Sequence, residues 1–272
     1  MSTAAHITRF RGGLPFGHTA ITREGEAELD TGIDFGIHRM RKGERVEETH
    51  PKETAWLLMD GEAELQWEGH ETTVHRSSLF DEGPTVLHVA PGTRVRIDAR
   101  RDCVEWAVIR AANERRFEAR LFRPEELPAE YRGAGLAQGA SLRNVRLVFD
   151  GSNRPEANLV LGEVVNYPGR WSSYPPHHHA QPEIYHYRFT LPQGYGHAEL
   201  GDLVFKVRSH DTLKILDGVG HAQVSAPGYG MYYIWTVRHL PGNRYTGFTF
   251  SEEHRWVLDP KDQGWRPKGG PA

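Results

Sequence analysis

The segment Pro175-Pro176-His177-His178-His179-Ala180-Gln181-Pro182-Glu183, together with His221 further along, supplies the neutral nitrogens and the carboxylate that a divalent cation takes as ligands. Side chains two apart on a strand point to one face, so His177 and His179 can converge while His178 points away. Pro182 suits a tight connection, after which Glu183-Ile184-Tyr185-His186-Tyr187-Arg188-Phe189 alternates as a strand. That alternation puts Glu183, Tyr185 and Tyr187 on one face, and a hairpin at Pro182 would carry Glu183 back across the two histidines. Three imidazoles and one carboxylate suit zinc first, with manganese and iron as alternatives, and leave open positions for water or a substrate oxygen. On a chain with 16 His, the same run also fits a solvated surface.

The elements that must position these residues read as strands. At 272 residues, with 29 Gly, 17 Pro and 10% aromatics, the chain favours short strands punctuated by turns, in one large domain or two smaller ones. Phe35–Met40, Thr54–Met59, Ala63–Trp67, Val86–Ala90, Val95–Ala99 and Val104–Ile109 are expected strands, with turns at Asp60-Gly61 and Pro91-Gly92. The segment 123–140 breaks the pattern with proline, charge and Arg132-Gly133-Ala134-Gly135, as an interdomain linker would. Strand patterning resumes after Ser141, through Asn158–Val165, Leu203–Val207, Thr212–Leu216 and Gly230–Val237. The expected architecture is all-β: two tandem barrels or jelly rolls, 1–122 and 141–272, in which closure removes exposed strand edges. Only the second half delivers a histidine from its glycine turn, Gly218-Val219-Gly220-His221; the first half, with His50 and Glu53 but no His-x-His, is expected to be metal-free and to serve packing and assembly.

Cys103 stands alone, which excludes an intrachain disulfide framework and any multi-thiolate metal site. A formal net charge of -3, without long basic runs, argues against nucleic acid as a partner. Neither the start of the chain, Met1-Ser2-Thr3-Ala4-Ala5-His6, nor any later stretch reads as a signal peptide or membrane span, so a soluble cytoplasmic protein is expected.

The His-x-His pair, the following Glu and the late His on a glycine turn resemble the two-part signature of the cupin superfamily. More specifically, Trp171–His177, Glu183-Ile184-Tyr185 and Ala226–Tyr233 resemble the 5-deoxy-glucuronate isomerases of bacterial inositol catabolism, as do the Arg132–Gly135 linker, Arg143 and Arg255–Pro260. The resemblance implies a bicupin fold, a metal held by His177, His179, Glu183 and His221, and isomerisation of 5-deoxyglucuronate to 5-dehydro-2-deoxygluconate. The 4-deoxy-5-ketouronate isomerases share the metal pattern; a cupin dioxygenase and a non-catalytic sugar-binding cupin are the other readings.

Such an isomerisation needs a group that polarises the carbonyl and a base that moves a proton between neighbouring carbons. For the base, Glu199 and His197 share a face by parity, and Lys214 and Asp217 precede the last ligand; Glu199 is the first choice. For the substrate carboxylate, Arg170 is preferred over Arg188, which parity sends to the face opposite Glu183. Tyr174, Tyr185, Tyr187, Tyr232 and Tyr233 are candidate pocket walls. The expected partner is a small deoxyuronate, with homo-oligomerisation through surfaces around Trp56, Trp67 and Trp106.

Overall fold

The structure, a computed structural model, describes residues 3–216 and 218–268; Asp217, one of the candidate groups near the last ligand, lies outside the described residues. Its two halves are strand-built sandwiches. In the second, the sheet facing the first half runs Ile7–Arg9, Asp211–Ile215, Glu183–Phe189, Met231–Arg238, Leu159–Asn166, Arg143–Phe149 and Glu130–Arg132. The opposing sheet runs Leu203–Arg208, Tyr195–Leu200, His221–Ser225, Trp171–His178 and Thr249–Phe250. Between the two lies an apolar core that includes Val145, Val164, Tyr185, Tyr187, Leu213 and Tyr233. The fold is therefore a bicupin, two jelly-roll units in one chain. No described helix is long and apolar enough to cross a membrane.

The first half departs from its expected strand boundaries at one instructive place. Thr54–Met59 and Ala63–Trp67 are one strand, Glu53–Trp67, and Asp60-Gly61, expected as a turn, continues it just past a bulge between Leu58 and Asp60. Gly61 has φ 104°, and a Cβ there would lie 2.7 Å from the Cys103 carbonyl oxygen, so the bend needs glycine. The bend lets this strand serve both sheets: Thr54–Leu57 pairs with Val86–Val89, and Ala63–Trp67 with Val95–Ala99. Trp56 and Trp106 meet edge-to-face at 6.2 Å inside the first barrel. They and Trp67 are buried in its core and cannot form the assembly surface expected of them.

The halves are joined at three levels. Leu57, Phe122, Phe149, Leu161, Ile184 and Tyr232 belong to one apolar core shared between them. The N-terminal strand Ile7–Arg9 pairs with Asp211–Leu213 of the second half. Buried polar groups complete the contact: Arg188 from the second half donates to Glu105 of the first at 2.7 Å, and Glu53 of the first accepts from the backbone N–H of Asn158 at 2.9 Å and from the Asn113 amide.

Burial pushes the Glu53 carboxyl up from its ordinary 4.5 to about 7 against these hydrogen bonds. The folded protein thus holds this proton more tightly than the unfolded chain does. Stability contributed here is expected to fall as pH rises from about 4.5 to about 7 and to level off above that. Glu53→Gln should flatten this part of the pH profile in urea unfolding; an unchanged slope in the variant would count against Glu53 as its source.

Candidate active site

Four side chains meet at the mouth of the second barrel. Ligand atoms of His177, His179 and His221 lie within 4.8 Å of one another. Glu183 Oε2 is 3.1 Å from His179 Nε2 and 3.3 Å from His221 Nε2. His177 and His221 are direct cross-strand partners, which places them on one face. His178, between the two ligand-spaced histidines, is exposed. Glu183 arrives by a different route from the expected hairpin. Trp171–His178 pairs with His221–Ser225 and Thr249–Phe250, whereas Glu183–Phe189 belongs to the other sheet. The 179–182 connection therefore crosses from sheet to sheet, and the carboxylate faces the imidazoles across the sandwich.

The ring nitrogens are arranged as metal donors. Nδ1 of His177 donates to the Ser173 carbonyl at 3.2 Å and Nδ1 of His221 to the Val219 carbonyl at 3.1 Å. That leaves each Nε2 with its lone pair toward the centre, the arrangement in which a second hydrogen bond fixes tautomer and ring orientation. With Nδ1 as its donor, His221 Nε2 turns a lone pair on the Glu183 carboxylate 3.3 Å away and no group donates to it, so a cation between the two would satisfy both. Burial, reinforced by neighbouring His221, lowers His177 to about 3, so it stays a neutral donor. Burial opposes the charge on Glu183, but His179 and His221 outweigh it and bring the carboxylate down to about 2. For His179 burial works against the cation and Glu183 more than offsets it, raising the pKa. A compact, ionised, three-nitrogen and one-carboxylate set of this kind fits a divalent metal.

A cavity opens beside the cluster, lined by His177 and Glu183 on one side and by Tyr185, Tyr233, Arg132 and Arg143 among others. Tyr185 and Tyr233, expected as pocket walls, are there; Tyr233 shares a hydrogen bond with Ser172 Oγ at 2.6 Å. Burial raises the pKa of both, so both remain hydroxyl donors. Tyr187 lies in the core below, its hydroxyl donating to Gln223 at 2.9 Å. The C-terminal segment covers the opening. Tyr245 packs edge-on to His179 at 4.9 Å and Phe248 lies 4.3 Å from His177, ring centre to ring centre.

Other candidates from the sequence stand elsewhere. Leu200 pairs with His221 and Glu199 with Ala222, so Glu199 and, by the same alternation, exposed His197 are on the outward face of their sheet. Glu199 is half-buried there, its pKa raised by desolvation. Lys214 is opposite Ile184 on the face toward the first half, where its Nζ bonds Glu26 at 3.1 Å. Arg170 is exposed in a turn. Tyr174 stacks on His254 and packs on Trp171, outside the cavity. Tyr232 faces the first half and donates to Glu163 at 2.7 Å. The cavity's own cations, Arg132 and Arg143, were absent from the expected site. Arg143 alternates with Val145, an inward core residue, and that signal was present in Arg143-Asn144-Val145.

Comparison with solved structures gives the same architecture. An IolB-like protein from Salmonella typhimurium superposes with a TM-score of 0.81 at 22% identity, covering 93% of this chain and 99% of that one. A Bacillus subtilis oxalate decarboxylase variant superposes at 0.66 with 11% identity, over 92% of this chain and 80% of the other. Among curated proteins, the 5-deoxy-glucuronate isomerase of Geobacillus kaustophilus is 31% identical over 250 residues, 84% of this chain and 87% of its own length. The enzyme of the same name from Bacillus subtilis strain 168 is 25% identical over 249 residues, 84% of this chain and 89% of its own. The family model described as KduI/IolB spans residues 15–257, taking in both jelly rolls and all four clustered side chains, and the chain belongs to that family.

Proposed function

We propose that the chain is a metal-dependent aldose–ketose isomerase that converts 5-deoxy-D-glucuronate to 5-dehydro-2-deoxy-D-gluconate in inositol catabolism. Its two cupin units are centred on 1–122 and 141–272 and joined by 123–140, with Ile7–Arg9 and the linker strand Glu130–Arg132 adding to the second unit's sheet, and the second carries the reaction. The observation that carries the reading is the geometry of His177, His179, Glu183 and His221: two imidazoles tied back through Nδ1, an orphaned Nε2 and a carboxylate beside an open cavity. The Geobacillus and Bacillus relatives, named for this activity, supply the substrate. A divalent ion on these four residues, zinc first and manganese or iron after it, would supply Lewis-acid polarisation of the substrate carbonyl.

The chain's own groups supply the rest. Tyr185 and Tyr233, held protonated, can donate to the sugar oxygens on the cavity wall. Tyr245 and Phe248 narrow the opening over the histidines and limit water around the reacting carbons. The aldehyde carbon gains a hydrogen, its hydroxyl-bearing neighbour loses one, and the product is the isomeric ketone with no oxidant consumed.

The test is a proton NMR time course of the zinc-, manganese- or iron-loaded protein with 5-deoxy-glucuronate in deuterated water. Conversion to the ketose that stops on chelation is the expected result, and deuterium at the former aldehyde carbon would identify proton transfer through solvent-exchanging groups. An unchanged substrate with all three metals would overturn the assignment.

A further inference from the structure

We infer that Arg143, with Arg132 beside it, forms a carboxylate-binding end of the cavity that orients the substrate by its acid group; the inference rests on the sugar-acid reading above. Arg132 and Arg143 are direct cross-strand partners, so two guanidinium-bearing side chains share one face, and both line the cavity. Like charges directly opposite one another destabilise a sheet pair unless something compensates them.

Several buried arginines of the protein are paired with carboxylates. Arg76 and Arg146 share Glu163 at 2.6 and 2.8 Å, and Arg188 has Glu105 at 2.7 Å. Arg143, partly buried, has no such partner; Arg154, buried and also without a carboxylate, is held instead by His88 Nδ1 at 3.0 Å and the Glu118 carbonyl. Among the described residues no carboxylate lies within ion-pair distance of Arg143, and its one side-chain hydrogen bond is from Nη1 to the Ser141 carbonyl at 2.9 Å. Burial, with Arg132 nearby, weighs against its charge, yet a guanidinium does not give up its proton in a protein. Arg132 is half-exposed and shared with Glu130 at 2.8 Å, which leaves its remaining donors available. Glu183, the carboxylate that lines the cavity, belongs to the cation site, 3.1 Å from His179 Nε2 and 3.3 Å from His221 Nε2.

An anion entering the cavity would therefore meet an uncompensated planar fork of donors at one end, a match for a carboxylate. A linear sugar acid bound there by its acid group would extend its carbonyl end toward His177 and Glu183. Its middle would pass Tyr185 and Tyr233. The arrangement selects for acids over neutral sugars of the same skeleton.

The test compares 5-deoxy-glucuronate with 5-deoxy-glucose, in which the carboxylate is a hydroxymethyl group, on the wild type, Arg143→Lys and Arg143→Ala. The expected result for Arg143→Ala is a loss of about 100-fold or more in kcat/KM for the acid, mostly in KM, with less than about fivefold change for the neutral sugar. Arg143→Lys should recover part of the preference, since it keeps the charge and loses the fork. Equal losses for acid and neutral sugar would overturn the inference. A separate binding arm uses glutarate, followed by quenching of tryptophan fluorescence, since Trp235 lines the same cavity. Saturable glutarate binding that disappears in Arg143→Ala would uphold the anion site even if neither sugar is isomerised, and that outcome would sink the isomerase reading alone. No difference in glutarate binding between wild type and a folded Arg143→Ala would sink the carboxylate site.

Discussion

Replacing His221 with alanine is expected to reduce bound zinc from about one ion per chain to near zero and to cut turnover of 5-deoxy-glucuronate at least about 1,000-fold. His221 is the ligand delivered by the glycine turn. It is buried, pairs directly with His177 across the sheet, and presents an Nε2 that no protein group satisfies. Removing it leaves His177, His179 and Glu183, three donors of which one carboxylate is then balanced by fewer imidazoles. Loss of a ligand from a four-residue set costs far more than loss of a supporting hydrogen bond, which alone is worth about 10- to 100-fold in metal affinity. His221→Gln keeps a polar side chain in the gap and separates the lost ligand from lost packing. His178→Ala, on the exposed side of the same strand, should leave metal content and turnover unchanged. Elemental analysis after gel filtration and steady-state kinetics read both quantities. A His221→Ala protein that retained a full metal complement and wild-type turnover would remove this cluster from the reaction.

The convergence of these four residues was legible because strand alternation is local. His177 and His179 are two apart, and Glu183, Tyr185 and Tyr187 alternate with Ile184, His186 and Arg188 in a strand buried on both faces. The inward set lines the second core and its cavity, while Ile184 joins the shared core and Arg188 reaches Glu105. What the sequence left hidden was which strands are neighbours. Pro182 marks a change of direction, but a hairpin and a sheet-to-sheet crossing look alike in one chain segment. Glu199 and His197 share a face by parity, but parity alone does not say which face looks inward. Their face is set by the pairing of Leu200 with His221, a contact between distant segments that alternation within Gly196–Leu200 could not reveal. Asp60-Gly61 reads as a turn by residue type, yet it runs on within one long strand beside a bulge, where only glycine clears the Cys103 carbonyl. Arg132 sits on a three-residue, exposed strand with no apolar pattern, and only its pairing with Arg143 brings it to the cavity.

Glu163→Ala is expected to destabilise the protein by about 3–5 kcal/mol, enough to consume a large part of the 5–15 kcal/mol typical of a folded domain. Glu163 is fully buried between the halves and is the shared acceptor for Arg76 of the first half and for Arg146 and Tyr232 of the second. Arg76 spans its carboxylate with two donors, at 2.6 and 3.1 Å. The pair itself is a weak source of stability, because both charges had to leave water; removing one partner is what costs, since two buried guanidiniums then lack a counter-ion. Their remaining acceptors are backbone carbonyls: Leu58 and Glu82 for Arg76, and Leu79, Phe80 and Glu82 for Arg146. Two variants separate the cost of lost pairing from the cost of lost packing. Glu163→Ala should lower the urea midpoint sharply with little change in slope, whereas the combined Arg76→Met, Arg146→Met and Glu163→Leu replacement should recover most of the loss by filling the space with apolar side chains. If the triple variant is as unstable as Glu163→Ala, the unpaired charges on Arg76 and Arg146 are not the cause. The consequence reaches the site because Glu163 lies on Leu159–Asn166, the strand paired with the Arg143 strand on one side and the Tyr233 strand on the other. Val164, the next residue, lines the cavity from that strand's opposite face, so loosening the contact between the halves also releases the wall against which a substrate would be held.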